Sequence, residues 1–229
     1  MLPEKLAAIY KGYWKHRVLT TRLALSRKNG FSDVNDYVDD RADNMAQRAM
    51  KTLFQDYGLK VNAGPILEVG SSTGRFTREI QKYIPQNVNM VCLEKDVHRV
   101  RFLKGYAKEK GWTNVTAVSG DYFNYDFENR TFEMVMIPWF EQLSLYQWAK
   151  VLEVGSKITK ANGYFIFDFI DSQDSLIEAI HNIKNAHHYL INGSDVEKIA
   201  NHFGFQKKFQ YKIKFYTQTT TYFIYQKGY

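Results

Sequence analysis

Residues 65–74 read PILEVGSSTG, a short apolar run that contains the acid Glu68 and ends in a turn bounded by Gly70 and Gly74. The run has the length and branched side chains of a strand, whereas the residues from Arg75 onward have helical spacing. Glycine adopts backbone angles closed to other residues and lets a ligand approach the main chain. The stretch therefore predicts a strand, a tight turn and a helix, the unit from which ligand-binding α/β sheets are built.

Strand-length runs and helical periods alternate along most of the chain. The runs lie at 66–69, 88–93, 115–118, 132–137 and 164–169, and helices are expected at 75–83, 97–110, after Ser144, after Ser172 and from Ser194. This alternation is typical of parallel strands joined by right-handed crossovers, with helices on both faces. The last two strand-like runs lie at 205–216 and 219–226. Because the turn between them is too short for a parallel crossover, these two strands must be antiparallel. The predicted fold class is α/β: a Rossmann-like, doubly wound, mostly parallel seven-stranded sheet with an antiparallel C-terminal strand pair.

The N-terminal segment has a different pattern. Residues 3–28 place apolar side chains at helical intervals among basic ones, which predicts a basic amphipathic helix. A second helix is expected to follow Asp39-Asp40 and to stop at Gly58. We therefore expect an N-terminal helical appendage, residues 1–36, followed by one domain, residues 37–229.

Composition narrows the class of protein further. The chain has 229 residues, 45% of them hydrophobic and 24% charged, as is ordinary for a globular protein. Its single cysteine, Cys92, excludes an internal disulfide or a multi-cysteine metal cage, and no metal is expected. The first residues are charged and no run of 18 apolar residues occurs, so we expect a soluble, cytoplasmic protein without a membrane partner.

The net charge of +7 is concentrated at the two ends of the chain. Residues 1–30 hold seven Lys or Arg residues against Glu4 alone, and residues 205–229 hold five lysines and no acid. Such ends attract RNA or an anionic metabolite, or they are simply solvated faces.

The turn after the first strand argues against a phosphate ligand. A dinucleotide-binding turn would need glycine at positions 72 and 75, which are Ser72 and Arg75, and the chain lacks a Gly-Lys-Ser/Thr sequence. Glu68 would repel a pyrophosphate but can accept hydrogen bonds from an ammonium group. Glu94, at the end of the second strand, occupies the position at which a carboxylate usually binds a ribose diol. Asp121 follows the third strand beside aromatic residues, so the expected ligand has an amine, a ribose and an adenine-like ring.

Together these residues resemble the motifs of the class I S-adenosylmethionine-dependent methyltransferases. Residues 68–76 resemble the family's first motif, Glu94 its ribose-binding acid and Gly120-Asp121 its adenine-contacting acid. Phe132-Glu133 is similar to the fourth-strand motif, in which Asp usually stands at the position of Glu133. The resemblance implies S-adenosylmethionine as methyl donor and S-adenosylhomocysteine as product. The cofactor contacts that it implies are Arg41, Glu68, Gly70, Ser72, Gly74, Glu94, Lys95, Asp121, Tyr122 and Pro138.

Arg41 enters this set because residues 37–42 resemble a lead-in found in many small-molecule members, where the arginine meets the methionine carboxylate. The start of a solvated helix is the other interpretation of the same residues.

The acceptor is expected beside the end of the fourth strand, at residues 138–143. Glu141-Gln142-Leu143 resembles the Glu-His-Leu of many small-molecule members, but Gln142 cannot take a proton. Other candidate catalytic residues are His187, His188 and Asp168, although the histidines also fit a solvated surface. The candidate substrate-binding residues are Trp14, Trp139, Phe140 and Asp171, with core packing as the alternative for Phe140.

The predicted function is methyl transfer to an N or O nucleophile of a small, aromatic or anionic metabolite, with the N-terminal helix as part of a lid. Two alternatives stay open: an RNA methyltransferase that uses the basic ends, and a protein that binds S-adenosylmethionine without transferring the methyl group. A homodimer is compatible with either. A dehydrogenase is disfavoured because Glu68 and Gly74 do not fit its cofactor-binding turn.

Overall fold

The computed structural model describes residues 34–62, 64–138, 143–169, 192–215 and 218–228, and of residues 34–42, 214–215 and 218–219 it describes the backbone alone. Its helices are α1 (Val34–Lys51), which continues into a π-helical turn at Thr52–Asp56, α2 (Arg75–Ile80), α3 (Val97–Glu109), α4 (Leu145–Ile158) and α5 (Gly193–His202). Its strands are β1 (Ile66–Val69), β2 (Met90–Glu94), β3 (Val115–Ser119), β4 (Phe132–Ile137), β5 (Thr159–Phe169), β6 (Phe205–Phe215) and β7 (Gln218–Lys227).

The strands form one seven-stranded sheet in the order β3-β2-β1-β4-β5-β7-β6. Strands β1 to β5 pair in parallel, whereas β7 is antiparallel to both β5 and β6. The predicted fold class is therefore confirmed, including the antiparallel C-terminal pair. The order reverses at β1, which lies between β2 and β4, and a crevice opens at such a switch point beyond the carboxyl ends of the strands.

Apolar side chains on the two faces of the sheet form two cores. Ile66, with its neighbours in β2 and β4, packs beneath α1, α2 and α3. Leu67 faces the opposite side, where Trp148 of α4 and Val196 of α5 complete a second, aromatic-rich core. Both faces of β1, β2, β4 and the regular part of β5 are thus covered, which explains why these strands appear in the sequence as continuous apolar runs rather than as alternating patterns.

Helix α4 begins where the sequence indicates. The Ser144 hydroxyl accepts the Gln147 N–H at 3.3 Å, and the Gln147 side chain accepts the Ser144 N–H at 2.9 Å. This reciprocal pair satisfies two N–H groups that the first turn leaves without helical partners. Helix α5 differs from its prediction, because Asn192 rather than Ser194 is the capping residue and accepts the Ser194 N–H at 3.0 Å.

Helix α1 begins at Val34, before the Asp39-Asp40 pair that was expected to precede it. Aspartate is only mildly unfavourable inside a helix, so an acidic pair does not by itself mark a helix start. The helix runs across the expected division after residue 36, and that division stays a prediction. The helices expected over 3–28 and after Ser172 lie outside the described residues.

Strand β5 also begins early, at Thr159, directly after the last residue of α4. Its pairing with β4 is irregular between Phe132 and Met134, and Asn162 has a left-handed backbone with φ of 61°. Because this first part is distorted and polar, the apolar pattern reveals only the regular part from residue 164. Among the described residues, none of the helices combines the length and the apolar character that a membrane span requires.

Two helical glycines offer a matched test of core packing. A Cβ at Gly155 would lie 2.3 Å from Cε2 of the buried Phe165, whereas a Cβ at Gly105 would meet no atom within 4 Å. We expect Gly155→Ala to lower the free energy of unfolding by about 1–3 kcal/mol through overpacking. Gly105→Ala should raise it by roughly 0.5–1 kcal/mol, since alanine favours the helix. Urea unfolding of both variants measures these changes, and equal effects would contradict the packing described for α4 on β5.

Candidate functional site

The turn between β1 and α2 lies at the switch point of the sheet and is tied to the neighbouring strand. The N–H groups of Gly70 and Ser71 both donate to the Leu93 carbonyl of β2, at 2.7 and 3.3 Å. Gly74 has φ of 86°, and a Cβ at this position would lie 2.5 Å from the Leu103 side chain. Glycine is thus required at position 74 both for its backbone angle and for the close approach of α3.

Ser72 shares the left-handed conformation, with φ of 50°, although it has a side chain. Such a backbone is uncommon outside glycine and is retained where surrounding contacts hold it. Here the Ser72 N–H donates to Oε2 of Glu94 at 2.8 Å. The turn is therefore held against the acid at the end of β2.

Glu94 is 7% exposed, and both of its carboxylate oxygens are oriented by backbone groups. Oε1 accepts the Asp96 N–H at 2.9 Å, while Oε2 accepts that of Ser72. A carboxylate has about four acceptor positions, so two remain for further donors. Two hydroxyl groups of a ribose are donors of the appropriate kind, and the predicted role of Glu94 is compatible with this geometry.

Asp121 begins the turn after β3 and is held by its own neighbours. Its carboxylate accepts the Phe123 N–H at 3.0 Å and the Lys95 ammonium at 2.9 Å. The hydrogen bond from Lys95, followed by that from Phe123, lowers the pKa of Asp121. Lys95 thus contacts Asp121, and its predicted contact with the cofactor stays a prediction.

Gly120 connects the ends of β2 and β3, because its N–H donates to the Glu94 carbonyl at 3.0 Å. A Cβ at this position would lie 2.4 Å from the Tyr125 ring, so the glycine admits a close approach of the following turn. The acids of β2 and β3 therefore lie on adjacent strand ends.

The side chain of Tyr122 lies in the core, and the predicted cofactor contact of this residue stays a prediction. It is 4% exposed, and its hydroxyl donates to the Val151 carbonyl of α4 at 3.0 Å. The neighbouring Phe123 is 37% exposed and is the ring beside Asp121 that offers surface to a ligand. The two adjacent aromatics follow a strand without a regular alternation, so the sequence could not tell which ring points inward.

Glu68 is buried beneath the turn, with 1% of its surface exposed. The Thr77 hydroxyl of α2 donates to its Oε2 at 2.5 Å, and the Cys92 thiol lies 3.8 Å from the same oxygen. Its other oxygen, Oε1, has no hydrogen-bond partner among the described residues. Burial raises the pKa of Glu68 to about 8, against the lowering effect of the bonds from Thr77 and Cys92.

Ion pairs at the surface connect helix α1 with α2 beside this site. Asp43 accepts from Arg78 of α2 at 2.8 Å and lies 3.4 Å from Nε of Arg75. Arg41 occupies the interior of α1, two residues before Asp43, and its side chain is not described. Its predicted contact with a ligand carboxylate stays a prediction.

Of the residues expected near the methyl acceptor, the structure describes those at the ends of β4 and β5. Pro138 is buried directly after β4, and Asp168 is fully buried near the end of β5, paired across the sheet with Tyr222 of β7. The remaining candidates lie outside the described residues: Trp14, Trp139, Phe140, Gln142, Asp171, His187 and His188.

Glu133 has a role that the sequence did not indicate. Its carboxylate accepts the N–H of Gly64, and Oε1 lies 3.4 Å from the Asn62 nitrogen. The Glu133 N–H in turn donates to the Pro65 carbonyl at 2.8 Å. The residue therefore holds the segment that leads into β1, and the extra methylene of Glu relative to Asp contributes to its reach.

The sheet order, the glycine-bounded turn and the acids at three adjacent strand ends define a class of protein. The fold is that of the class I S-adenosylmethionine-dependent methyltransferases. Residues 66–163 match a family model described as a methyltransferase domain. The resemblance that the sequence predicts is thus supported by the family model over residues 66–163 and by the fold.

Individual proteins support this assignment. The chain is 36% identical over 132 residues to a malonyl-[acyl-carrier protein] O-methyltransferase from Calditerrivibrio nitroreducens; the match covers 55% of this chain and about half, 51%, of the relative. Magnesium protoporphyrin IX methyltransferase from Synechocystis, with bound S-adenosylhomocysteine, superposes with a TM-score of 0.68 at 12% identity, covering 92% of this chain and 95% of that one. A structure from Bacillus halodurans that is described as a methyltransferase superposes with a TM-score of 0.65 at 13% identity. The match covers 80% of this chain and 100% of that one. At these identities the structures show the fold.

The described residues fit S-adenosylmethionine. Glu68 provides a buried acceptor oxygen whose partner is not among the described residues, which suits an ammonium group better than a phosphate. Glu94 and Asp121 provide acceptors for hydroxyl and amine donors. Glu94 and Asp121, the acids beside the turn, would repel a pyrophosphate, so a cofactor without phosphates agrees with the charge of the site.

Glu68 predicts a distinct pH dependence of stability. Its pKa is about 8 in the folded protein against an ordinary value of 4.5, so between these values the folded state keeps a proton that the unfolded state has lost. Stability is then fully present below the unfolded pKa and falls as pH rises, by up to about 1.4 kcal/mol per pH unit.

Glu68→Gln removes this titration while keeping the size of the side chain. Between pH 5 and pH 8, the unfolding free energy of the native protein should therefore fall relative to that of the variant. Urea unfolding without ligand at several pH values measures it. Parallel pH profiles would show that Glu68 is ionised in the folded protein throughout.

Proposed function

We propose that this protein transfers the methyl group of S-adenosylmethionine to an N or O nucleophile of a small, aromatic or anionic metabolite. The observation that carries the proposal is the set of acids Glu68, Glu94 and Asp121, each positioned at the end of a neighbouring strand around one turn. S-adenosylmethionine supplies a methyl group on a positively charged sulfur, which needs little further activation. The protein's contribution is then chiefly to bind, align and exclude water.

Each acid has a separate binding role in this proposal. Glu94 accepts the ribose hydroxyls with the acceptor positions that Ser72 and Asp96 leave available. Asp121 accepts the exocyclic amine of the adenine, whose ring packs on the exposed face of Phe123. Glu68 interacts with the ammonium group, and Arg41 with the carboxylate, of the methionine moiety. The glycines at 70 and 74 allow the backbone to pass close to the ligand.

The acceptor lies, in this proposal, beyond Pro138 and beside Asp168. Asp168 is two strands away from β1 and one from β4, where the reactive methyl group would be held. Its buried carboxylate can take a proton from the acceptor or orient it. Gln142, His187 and His188 are the other catalytic candidates, and Trp14, Trp139, Phe140 and Asp171 contribute to the substrate surface.

Two observations support an anionic acceptor. The relative from Calditerrivibrio nitroreducens is named for O-methylation of a malonyl group, which carries a carboxylate. The net charge of this chain is +7, which raises the local concentration of anions.

Calorimetry with S-adenosylhomocysteine tests the cofactor site. We expect Glu94→Ala to weaken binding by about 2–3 kcal/mol, through loss of charge-assisted hydrogen bonds. Glu153→Ala is the matched control, because Glu153 pairs with Lys157 on the surface of α4, away from the strand ends. Absence of binding by folded protein at millimolar ligand would refute the proposal, and an unchanged affinity in Glu94→Ala would remove this residue from the site.

Asp168→Asn tests the acceptor side. Turnover should fall by about a hundredfold or more while S-adenosylhomocysteine affinity stays within twofold, as expected for loss of a proton acceptor. The measurement is homocysteine release in a screen of carboxylate, phenol and amine metabolites. Equal turnover of Asp168→Asn and the native protein would indicate that Asp168 has a structural role only.

RNA is an alternative methyl acceptor, because the basic residues at the two ends of the chain could bind its phosphates. In that case RNA binding should weaken steeply between 50 and 200 mM salt, because each phosphate contact releases counterions. A protein that binds S-adenosylhomocysteine but methylates neither RNA nor any metabolite in the screen would favour the alternative without methyl transfer.

A further inference from the structure

Strand β3 forms one end of the sheet and leaves a free backbone edge. Within the described residues its only strand neighbour is β2. Its sequence, Val-Thr-Ala-Val-Ser, contains no charged residue and no proline, and Thr116 at its centre is exposed. Natural sheet edges are usually protected from pairing by charges, prolines or a covering segment. The β3 edge has neither a charged residue nor a proline.

A groove runs along this edge, between β3 and α3. Its volume is about 510 Å³, and its floor includes Ala107, Trp112 and Val115. Lys104 and Lys108 of α3 form its rim. On the other face of the sheet, the turns between β3 and β4 contain no helix, and Val118 is left partly exposed. An added strand would therefore find apolar contacts on both faces of the sheet.

The groove is basic on the side of α3. Arg101, Lys104 and Lys108 follow each other at intervals of three and four residues, so they lie along one side of the helix. All three are exposed, and none forms an ion pair with an acid among the described residues. Neighbouring basic residues behave differently: the pairs are Lys95 with Asp121, Arg99 with Asp96 and Lys110 with Glu109. On α3, the basic residues without an acid partner among the described residues thus lie on the side of the helix that borders the edge.

We propose that the β3 edge is a docking site for an extended acidic segment of a partner protein, which binds as an eighth strand. Main-chain hydrogen bonds to β3 would hold the segment, as in other cases of strand addition. Side chains alternate between the faces of a strand, so every second residue would meet Lys104 and Lys108. Acidic residues fit those positions, and small apolar residues fit the positions that face Val118.

Charge argues against the other occupants. A second copy paired through β3 about a two-fold axis would bring both lysine-bearing helices to the same face of the joined sheet, where they repel each other. RNA would use the lysines but not the unpaired backbone of the edge, and the partly buried Trp112 already packs edge-to-face against Tyr106.

Fluorescence anisotropy with a labelled peptide of alternating Glu and Val tests the proposal. We expect saturable binding to the native protein, and at least tenfold weaker binding to the double variant Lys104→Glu/Lys108→Glu, equivalent to about 1.4 kcal/mol. The matched control is Lys51→Glu/Lys60→Glu, which changes the net charge equally at two exposed lysines away from the edge. Affinity for S-adenosylhomocysteine should be unchanged in both, which shows that they are folded.

A second peptide separates strand addition from simple charge attraction. The same sequence with proline at its centre cannot complete the hydrogen-bond ladder and should bind at least tenfold more weakly. Equal binding of both peptides, or equal losses in both double variants, would overturn the proposal, as would no binding at millimolar peptide. Displacement of the peptide by single-stranded RNA would assign the basic side of α3 to nucleic acid. A concentration-dependent dimer abolished by Lys104→Glu/Lys108→Glu would assign the edge to a second copy.

Discussion

Two backbone N–H groups hold the Glu94 carboxylate, and the geometry of the site depends on this interaction. One comes from Ser72, in the turn after β1, and the other from Asp96, at the start of α3. The turn adopts a strained conformation at Ser72 that this hydrogen bond stabilises. Because Gly120 also donates to the Glu94 carbonyl, a single residue connects the ends of the three strands that carry the acids. The site is thus positioned before any ligand arrives, which reduces the entropy cost of binding.

Glu68 differs from Glu94, because it is buried and its hydrogen-bond partners among the described residues are uncharged side chains. Desolvation of a buried carboxylate is costly, and neither Thr77 nor Cys92 carries a positive charge. Its neutral form is therefore favoured in the ligand-free protein, whereas an ammonium group would favour the ionised form. The same residue thus links the stability of the core to the charge of whatever binds above it.

The two sides of the molecule differ in how completely their polar groups are satisfied. Near the strand ends, backbone N–H groups hold the carboxylates of Glu94 and Asp121, and one buried oxygen of Glu68 has no hydrogen-bond partner among the described residues. At the β3 edge, by contrast, an uncharged strand and a row of unpaired basic residues are left to solvent.

Local sequence patterns are sufficient to predict the alternation of strands and helices, the antiparallel end of the sheet and the acids at the strand ends. These features depend on local patterns: apolar runs, the glycine-bounded turn and the spacing between Gly70 and Glu94. The sequence also placed Ser144 correctly as a helix cap, since the capping box is a contact between residues three apart.

The directions of individual side chains, by contrast, depend on contacts between elements that are distant in the sequence. Tyr122 and Phe123 are adjacent aromatics with opposite exposures, because α4 offers a carbonyl to the first and nothing to the second. Glu133 binds a segment about seventy residues earlier in the chain, a contact set by the pairing of β1 with β4. The groove beside β3 likewise exists because the sheet ends there. Long-range packing creates these properties, and no local pattern of residues encodes them.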